Sequence, residues 1–321
     1  MRLLLAPMEG LADDVLRQVL TRAGGYDWAV TEFARVTGTV LPRRFFRRLS
    51  PELQRGGRTA AGTPVRVQLL GSDPSMMAES AASLATLNPP GVDLNFGCPA
   101  PIVNRHRGGA VLLDDPDLLN RIATSVRAAV PAGVPYSAKM RLGVDDPGRA
   151  VECAQALADG GVDLLVVHAR TKADAYRPPA HWEWVARIAD AVSIEVVANG
   201  EVWNTEDWSR CRRVSGVADV MLGRGAVADP FLARRIKGGS EPDRESEWHE
   251  LRLLLGEFWE AVSAKLEARH VPGRLKQWLN MLRRNFSGAQ RLYDDLRAER
   301  CHLRIARILQ EHGVPLHQLA A

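Results

Sequence analysis

Cys98 stands just past a short apolar run, in the stretch VDLNFGCPAPIVNRHRGGAVLL that extends from 92 to 113. A strand that arrives at Asn-Phe-Gly-Cys-Pro cannot continue its ladder, because Gly97 and Pro99 break it, and the thiol is tipped out of the core and offered for chemistry. The pair Gly108 and Gly109 either lets the backbone pass close to a neighbour or opens the helix that follows near Asp115. A cysteine alone in a turn is as readily a small buried hydrophobe, so the rest of the chain has to decide. Seven further side chains repeat its placement: Met8, Gln68, Asn95, Lys139, His168, Asn199 and Arg224 each lie at or just beyond the C-terminal end of a different apolar run. Two of the later runs end in glycine turns, VANGEV at 197–202 and MLGRGA at 221–226. Such turns offer backbone N–H groups to a phosphate, and Arg224 would add a charge-assisted contact. No GxGxxG follows the first run, so a Rossmann nucleotide site has no support.

The runs that carry these residues are LLLAP at 3–7, WAVTEF at 28–33, VRVQLL at 65–70, VDLN at 92–95, YSAKM at 136–140, DLLVVH at 163–168, IEVVAN at 194–199 and DVMLG at 219–223. Between them lie stretches such as LLNRIATSVRAAV and AVECAQALADGG, with apolar residues at helical spacing and Gly or Pro at their ends. Eight apolar strands alternating with helices predict a closed parallel (β/α)₈ TIM barrel, with a doubly wound open sheet as the competitor. In a barrel the C-terminal strand ends converge on one face, the face that does chemistry. After KGGSEPDRESEW the strand signals stop. Stripes such as LRLLLGEFWEAV and LKQWLNMLRRNF predict a small all-α helical bundle, placing the domains at 1–239 and 240–321.

Composition is that of an ordinary globular protein, 46% hydrophobic over 321 residues, with a net charge of +4. The distribution of charge says more than its total. Residues 241–267 hold three basic and eight acidic side chains, whereas 269–307 hold ten basic and three acidic. A second cationic block, Arg35, Arg43, Arg44, Arg47, Arg48, Arg55 and Arg58, has Glu52 as its only acidic member. A charge run often marks no more than a solvated face, but two such blocks around one barrel mouth predict a long polyanion lying across it. The cysteines at 98, 153, 211 and 301 form no CxxC pair and no zinc spacing. Free thiols, no metal and a cytoplasmic location are expected, and no run is long enough for a membrane span.

The segments LLAPMEG, GYDWAVTEF, VQLLG, DLNFGCP, KMRLG, VVHARTK, VANGE and LGRGA, in this order and at these distances, resemble the tRNA-dihydrouridine synthases. The C-terminal RLKQWLNMLR run and the length look most like the family's bacterial C-type members, whose target is uridine 16 of the D-loop. The resemblance covers essentially the whole chain. It implies an FMN-binding (β/α)₈ barrel, a helical tRNA-binding domain and NADPH as reductant; a monomer is expected. Carried over by motif, Cys98 corresponds to the proton donor. Pro7, Met8, Glu9, Gln68, Lys139, His168, Asn199, Gly200 and Glu201 correspond to flavin contacts, and Gly223 and Arg224 to the phosphate grip. Asn95 and Arg141 correspond to residues facing the target base. One departure stands out: the family often has a lysine three residues after the cysteine, where this chain has Pro101.

The implied chemistry explains the residue types. Reducing the C5–C6 bond of a uracil needs a hydride at C6 and a proton at C5; no amino-acid side chain can supply the first, and the reduced flavin does. A thiol on the opposite side of the ring can supply the second, provided that it is protonated before turnover. Lys139 and His168 would hold the flavin pyrimidine edge. The base must be extruded from folded RNA, so Tyr176 and Arg141 are expected at the rim, with Arg35, Arg274, Lys276 and Arg297 gripping the tRNA body. A flavin barrel acting on a small pyrimidine, of the dihydroorotate dehydrogenase type, explains Cys98 but leaves the cationic helices without a task. A non-catalytic tRNA-binding scaffold leaves Cys98 and Lys139 without one.

Overall fold

The computed structural model describes residues 1–239 and 243–317. The domain break expected at 239/240 adjoins residues that lie outside the described ones. The strands are β1 (Leu3–Leu5), β2 (Trp28–Arg35), β3 (Val65–Leu70), β4 (Val92–Phe96), β5 (Tyr136–Arg141), β6 (Leu164–His168), β7 (Glu195–Asn199) and β8 (Val220–Leu222). All pair in parallel and in chain order, and β8 returns to β1 through Leu3↔Val220, Leu4↔Met221 and Leu5↔Leu222. That closure excludes the open sheet. Each strand was legible as a short apolar run because a parallel strand covered by helices is buried on both faces.

The helices are α1 (Asp14–Ala23), α2 (Arg43–Leu49), α3 (Pro74–Ala85), α4 (Pro101–Arg105), α5 (Pro116–Ala129), α6 (Ala150–Asp159), α7 (Trp182–Ala191), α8 (Thr205–Ser215), α9 (Arg224–Ala228), α10 (Leu232–Gly238), α11 (Arg244–Lys265), α12 (Val271–Leu282), α13 (Ser287–Leu296) and α14 (His302–Glu311). Their starts follow local chemistry. Asp73 and Asp115 accept from the Met76 and Leu118 amides at the N-termini of α3 and α5, each with Pro in the first helical position. The chain divides into two compact units, Met1–Asp14 with Tyr26–Gly223, and Val15–Gly25 with the chain from Arg224 onward. The first contains the whole barrel.

The barrel interior is chemically lopsided. Strands β1, β2, β6, β7 and β8 bring Leu4, Trp28, Val30, Leu164, Val166, Val197 and Met221 into one buried apolar cluster, with Ala6 just after β1. Strands β3, β4 and β5 instead carry Arg66, Gln68, Asp93, Asn95, Ser137 and Lys139 at alternate positions, joined by hydrogen bonds such as Ser137 Oγ to Asp93 at 2.5 Å. At the N-terminal end, Arg2 closes the barrel by donating from its amide and from Nε to the two Asp219 oxygens, both at 2.6 Å. In the second unit the Trp278 indole is fully buried against Phe258, with ring centroids 4.9 Å apart, and donates to the Val227 carbonyl. A buried ionic cluster in the same unit joins Arg235 to Asp229 and Glu247.

Candidate active site

The strand register gathers most of the expected residues on the C-terminal face of the barrel. Asn95 pairs with Lys139 across β4 and β5, Arg141 with His168 across β5 and β6, and His168 with Asn199 across β6 and β7. Pro7, Met8 and Glu9 follow β1, and Gly223 follows β8. A Cβ at Gly223 would lie 3.8 Å from Ala6 and 4.0 Å from Met8 Sδ, so these two strand ends meet.

The turn that bears Cys98 is held on both sides of its peptide. Asn95 Oδ1 accepts from the amides of Gly97 and Cys98 at 3.0 and 2.9 Å. The Cys98 carbonyl accepts from Asn104 Nδ2 at 2.9 Å and from the Ala110 amide at 3.0 Å. Gly109 has a φ of +68°, and a Cβ there would lie 2.6 Å from the Cys98 oxygen. Of the two roles expected for the glycine pair, the close approach is to the turn that bears Cys98. Pro101 occupies the first position of α4, where its missing N–H costs no helical bond. The departure at that position thus leaves the turn intact.

Charge at the mouth is shaped mainly by burial. Desolvation pushes the Lys139 ammonium down to about 7, with the Arg141 charge acting in the same direction and Asp93 and Cys98 opposing it. Desolvation also pushes the Cys98 thiol up, so the protonated form dominates at neutral pH. Partial burial first, and the neighbouring Glu32 charge second, push the Glu9 carboxyl up to about 6. A desolvated cation between strand ends is a site for an anion, and a protonated thiol beside it is an acid rather than a nucleophile.

Several expected contact residues also brace the scaffold. Arg141 is 1% exposed and donates to Gly97, Thr171 and Ala175 carbonyls at 2.9, 2.8 and 2.9 Å. Its guanidinium also lies 5.4 Å from the centre of the Tyr176 ring, which in turn sits 6.3 Å from the His168 ring. Tyr176 is 51% exposed, an aromatic face at the rim. Asn199 Nδ2 donates to the Met221 carbonyl at 2.8 Å. Glu201, at φ +59°, pairs with Arg170 and accepts from Trp203 Nε1. Gly200 has φ +117°, and a Cβ there would come within 3.0 Å of His168 Cδ2. Arg35 Nη2 donates to the Ile102 carbonyl at 3.1 Å and lines, with Ser72, Asp73 and His106, a cavity of about 230 Å³.

Three residues that contact the expected ones were not singled out from the sequence: Asp93 against Gln68, Arg170 against Glu201 and Asn104 against Cys98. Asp93 and Arg170 are 1% and 0% exposed. Their signal was a charged residue in an otherwise apolar strand or directly after one, Asp93 in VDLN and Arg170 in HAR.

The remaining expected residues belong to the second unit. Arg224 opens α9, Arg274 and Lys276 lie on α12, and Arg297 caps the C-terminus of α13. Lys276 Nζ donates to the carbonyls of Arg297 and Glu299, so its charge sits at the end of α13. Arg274 Nη1 donates to Gln277 Oε1 at 2.5 Å, and Arg297 is exposed. Among the described residues, no helix is long and apolar enough to cross a membrane, and no three His, Cys, Asp or Glu residues gather as a metal site.

Over 311 residues, 96% of each chain, the sequence is 56% identical to the tRNA-dihydrouridine(16) synthase of Pseudomonas putida. It is likewise 56% identical over 317 residues to the tRNA-dihydrouridine(16) synthase of Cupriavidus necator, covering 98% of this chain and 97% of that one. Among solved structures, histamine dehydrogenase from Rhizobium sp. 4-9 superposes with a TM-score of 0.58 at 15% identity. That match covers 81% of this chain and 48% of the other, so the chain spans about half the length of that protein, and the likeness is one of fold alone. The family model described as dihydrouridine synthase matches residues 4–300, a span that takes in the barrel, the turn around Cys98 and most of the helices that follow. With that match and identity over nearly the full length of curated relatives, the chain belongs to the dihydrouridine synthase family.

Proposed function

We propose that this protein is a cytoplasmic, FMN-dependent tRNA-dihydrouridine synthase that reduces uridine 16 of the D-loop with NADPH as electron donor. The observation that carries the reading is the pairing of a protonated, backbone-clamped Cys98 with the desolvated Lys139 at one end of a closed barrel. Relatives named for uridine 16, similar over nearly their whole length, favour a tRNA substrate over a small pyrimidine.

The residues present fit FMN. The buried Arg170 Nη1 has no hydrogen-bond partner among the described residues, the Lys139 ammonium is desolvated in the same ring of strand ends, and Gly200 leaves the space over His168 that a Cβ would fill. A negatively polarised ring edge is the complement of such a set. Lys139, His168, Gln68, Asn199, Gly200 and Glu201 hold the isoalloxazine, Pro7, Met8 and Glu9 border it, and Gly223 and Arg224 take the phosphate. When bound, FMN supplies the hydride that the uracil C6 requires.

The chain's own groups do the rest. Tyr176 offers its exposed face to the extruded base, and Arg141 holds the loop that carries Tyr176. Asn95 faces the base from the end of β4 while orienting the Cys98 amide. Cys98 gives its thiol proton to C5 as negative charge builds there, and burial keeps that proton in place until the transfer. Arg35 and the cationic helices, with Arg274, Lys276 and Arg297, meet the phosphates and offset the few kcal/mol needed to extrude a stacked base. The barrel at 1–239 does the chemistry and the helical region at 240–321 docks tRNA, with one chain as the working unit.

The test is direct. Purified protein carrying its flavin, supplied with NADPH and unmodified tRNA, forms dihydrouridine at position 16, and tRNA from cells lacking the protein has uridine there. Dihydrouridine at another position would reassign the target, and a colourless protein without flavin absorbance would end the reading.

A further inference from the structure

Asp93 is a buried carboxyl to which the chemistry above gives no task. It sits on β4 in the polar half of the barrel interior, accepting from Ser137 Oγ at 2.5 Å and from Gln68 Nε2 at 2.6 Å. Gln68 Oε1 accepts from Asn95 Nδ2 at 2.7 Å, and Asn95 Oδ1 accepts from the amides of Gly97 and Cys98. One continuous path of hydrogen bonds thus runs from the middle of the barrel to the peptide of the reactive cysteine.

The direction of that path is set at its outer end. Backbone N–H groups can only donate, so Asn95 must turn its oxygen to Gly97 and Cys98 and its nitrogen inward. Gln68 must then present its oxygen to Asn95 and its nitrogen to whatever lies beneath. The group at the inner end has to be an acceptor, and a carboxyl at position 93 supplies one. With an apolar residue there, the buried Gln68 nitrogen would have no partner, and a flip of Gln68 to find one would set donor against donor at Asn95.

We infer that Asp93 is a positioning residue for the proton transfer: by fixing the polarity of Gln68 and Asn95 it holds the Cys98 peptide, and with it the thiol, in one place above the barrel. Arg66 and Lys139 are the charged groups facing it. The role depends on acceptor capacity and not on charge, which separates it from a merely electrostatic influence on Lys139. It rests on the reading of Cys98 as the acid, and the test therefore includes measurements that need no turnover.

Flavin-loaded Asp93→Asn and Asp93→Leu are compared with wild type. Asparagine still offers an oxygen to Gln68, so Asp93→Asn keeps tRNA-dependent reoxidation of the flavin close to wild type. Asp93→Leu lacks the acceptor and loses up to about 100-fold in that step, the scale of a 1 Å misplacement. Alkylation of Cys98 by iodoacetamide accelerates several-fold as the turn loosens, a readout that does not pass through the contact of Gln68 with the flavin. The inference is overturned if Asp93→Leu matches wild type in reoxidation and alkylation, if Asp93→Asn is as damaged as Asp93→Leu, or if both half-reactions fail together through loss of flavin. Should Asp93→Leu not fold, hydrogen exchange in the wild-type protein decides. The Gly97 and Cys98 amides exchange as slowly as β4 if the path holds them, and at loop rates if it does not. A Cys98→Ala variant that still makes dihydrouridine would remove the acid assignment while leaving the alkylation and exchange results to stand.

Discussion

Arg141 donates from Nε to the carbonyl oxygen of Gly97 over 2.9 Å, so the strand that carries Lys139 also holds the peptide before Cys98. Its Nη1 reaches two more carbonyls, Thr171 and Ala175, in the loop that presents Tyr176. One buried guanidinium therefore fixes both sides of the space a flipped base would enter. The planar fork reaches these carbonyls from two separate nitrogens fixed in one plane, whereas a lysine at the same place has a single nitrogen from which to reach them. Arg141→Lys is expected to keep FMN and its reduction by NADPH while tRNA turnover falls by up to about 100-fold. Loss confined to tRNA affinity, with the rate at saturation unchanged, would show that Arg141 acts as a base or phosphate contact alone.

The protonation of Cys98 sets a pH dependence whose sign follows from its environment. Burial raises the thiol above its ordinary range, so the acid form persists at neutral pH. The rate of proton transfer at saturating tRNA is expected to stay level to about pH 8.5, the ordinary thiol value, and to fall only above it. Cys98→Ala should lose on the order of 100-fold or more while retaining FMN, as for removal of a positioned general acid. A rate that rises with pH through the thiol range would mean that the thiolate is the working form.

Lys139 is expected to tune the cofactor. Desolvation pushes its ammonium down to about 7, so an anion placed beside it recovers interaction that water no longer provides. Lys139→Met removes that charge and should make the flavin harder to reduce, by on the order of 30 mV, about 1.4 kcal/mol for a two-electron couple. Spectroscopic titration against a reference dye measures it. An unchanged potential would place Lys139 away from the ring edge.

What was legible in the sequence divides along physical lines. The eight strands were readable because parallel strands buried on both faces are apolar runs, and their ends followed from Gly and Pro. The strand-end residues were readable because barrel topology fixes where such ends go. The partners of those residues were not. That Gly109 lies against Cys98, or that Arg141 braces Gly97, depends on pairings between segments distant in the chain. Asp93 was hidden for a different reason: its charge in an apolar strand marks it as unusual but not what it meets, and its meaning appears only when Gln68 from β3 and Ser137 from β5 are seen to meet it.

Gly200 offers a test of the flavin cradle. Its φ of +117° lies where a side chain is strained, and a Cβ would crowd His168 at 3.0 Å. Gly200→Ala is expected to cost about 1–3 kcal/mol of stability, as for other residues held in sparsely populated conformations, and to weaken FMN retention on dilution. Full flavin retention with lowered Tm would make the glycine a matter of backbone strain alone.

The cationic residues proposed to meet RNA differ in their contacts within the helical region. Lys276 donates to the carbonyls of Arg297 and Glu299, whereas Arg274 donates to the neutral Gln277 amide and Arg297 is exposed. Neutralising Arg274 and Arg297 together should weaken tRNA binding and reduce the magnitude of its log-log salt slope by somewhat under one unit for each phosphate no longer neutralised. Reduction of FMN by NADPH should be unchanged, since neither residue is among those proposed to hold the flavin. Lys276→Ala should lower Tm as well as affinity, because the carbonyls at the end of α13 lose their cation. If the double variant binds tRNA with wild-type affinity and slope, the helical charges are a solvated face, and the RNA contacts fall to the arginines between 35 and 58.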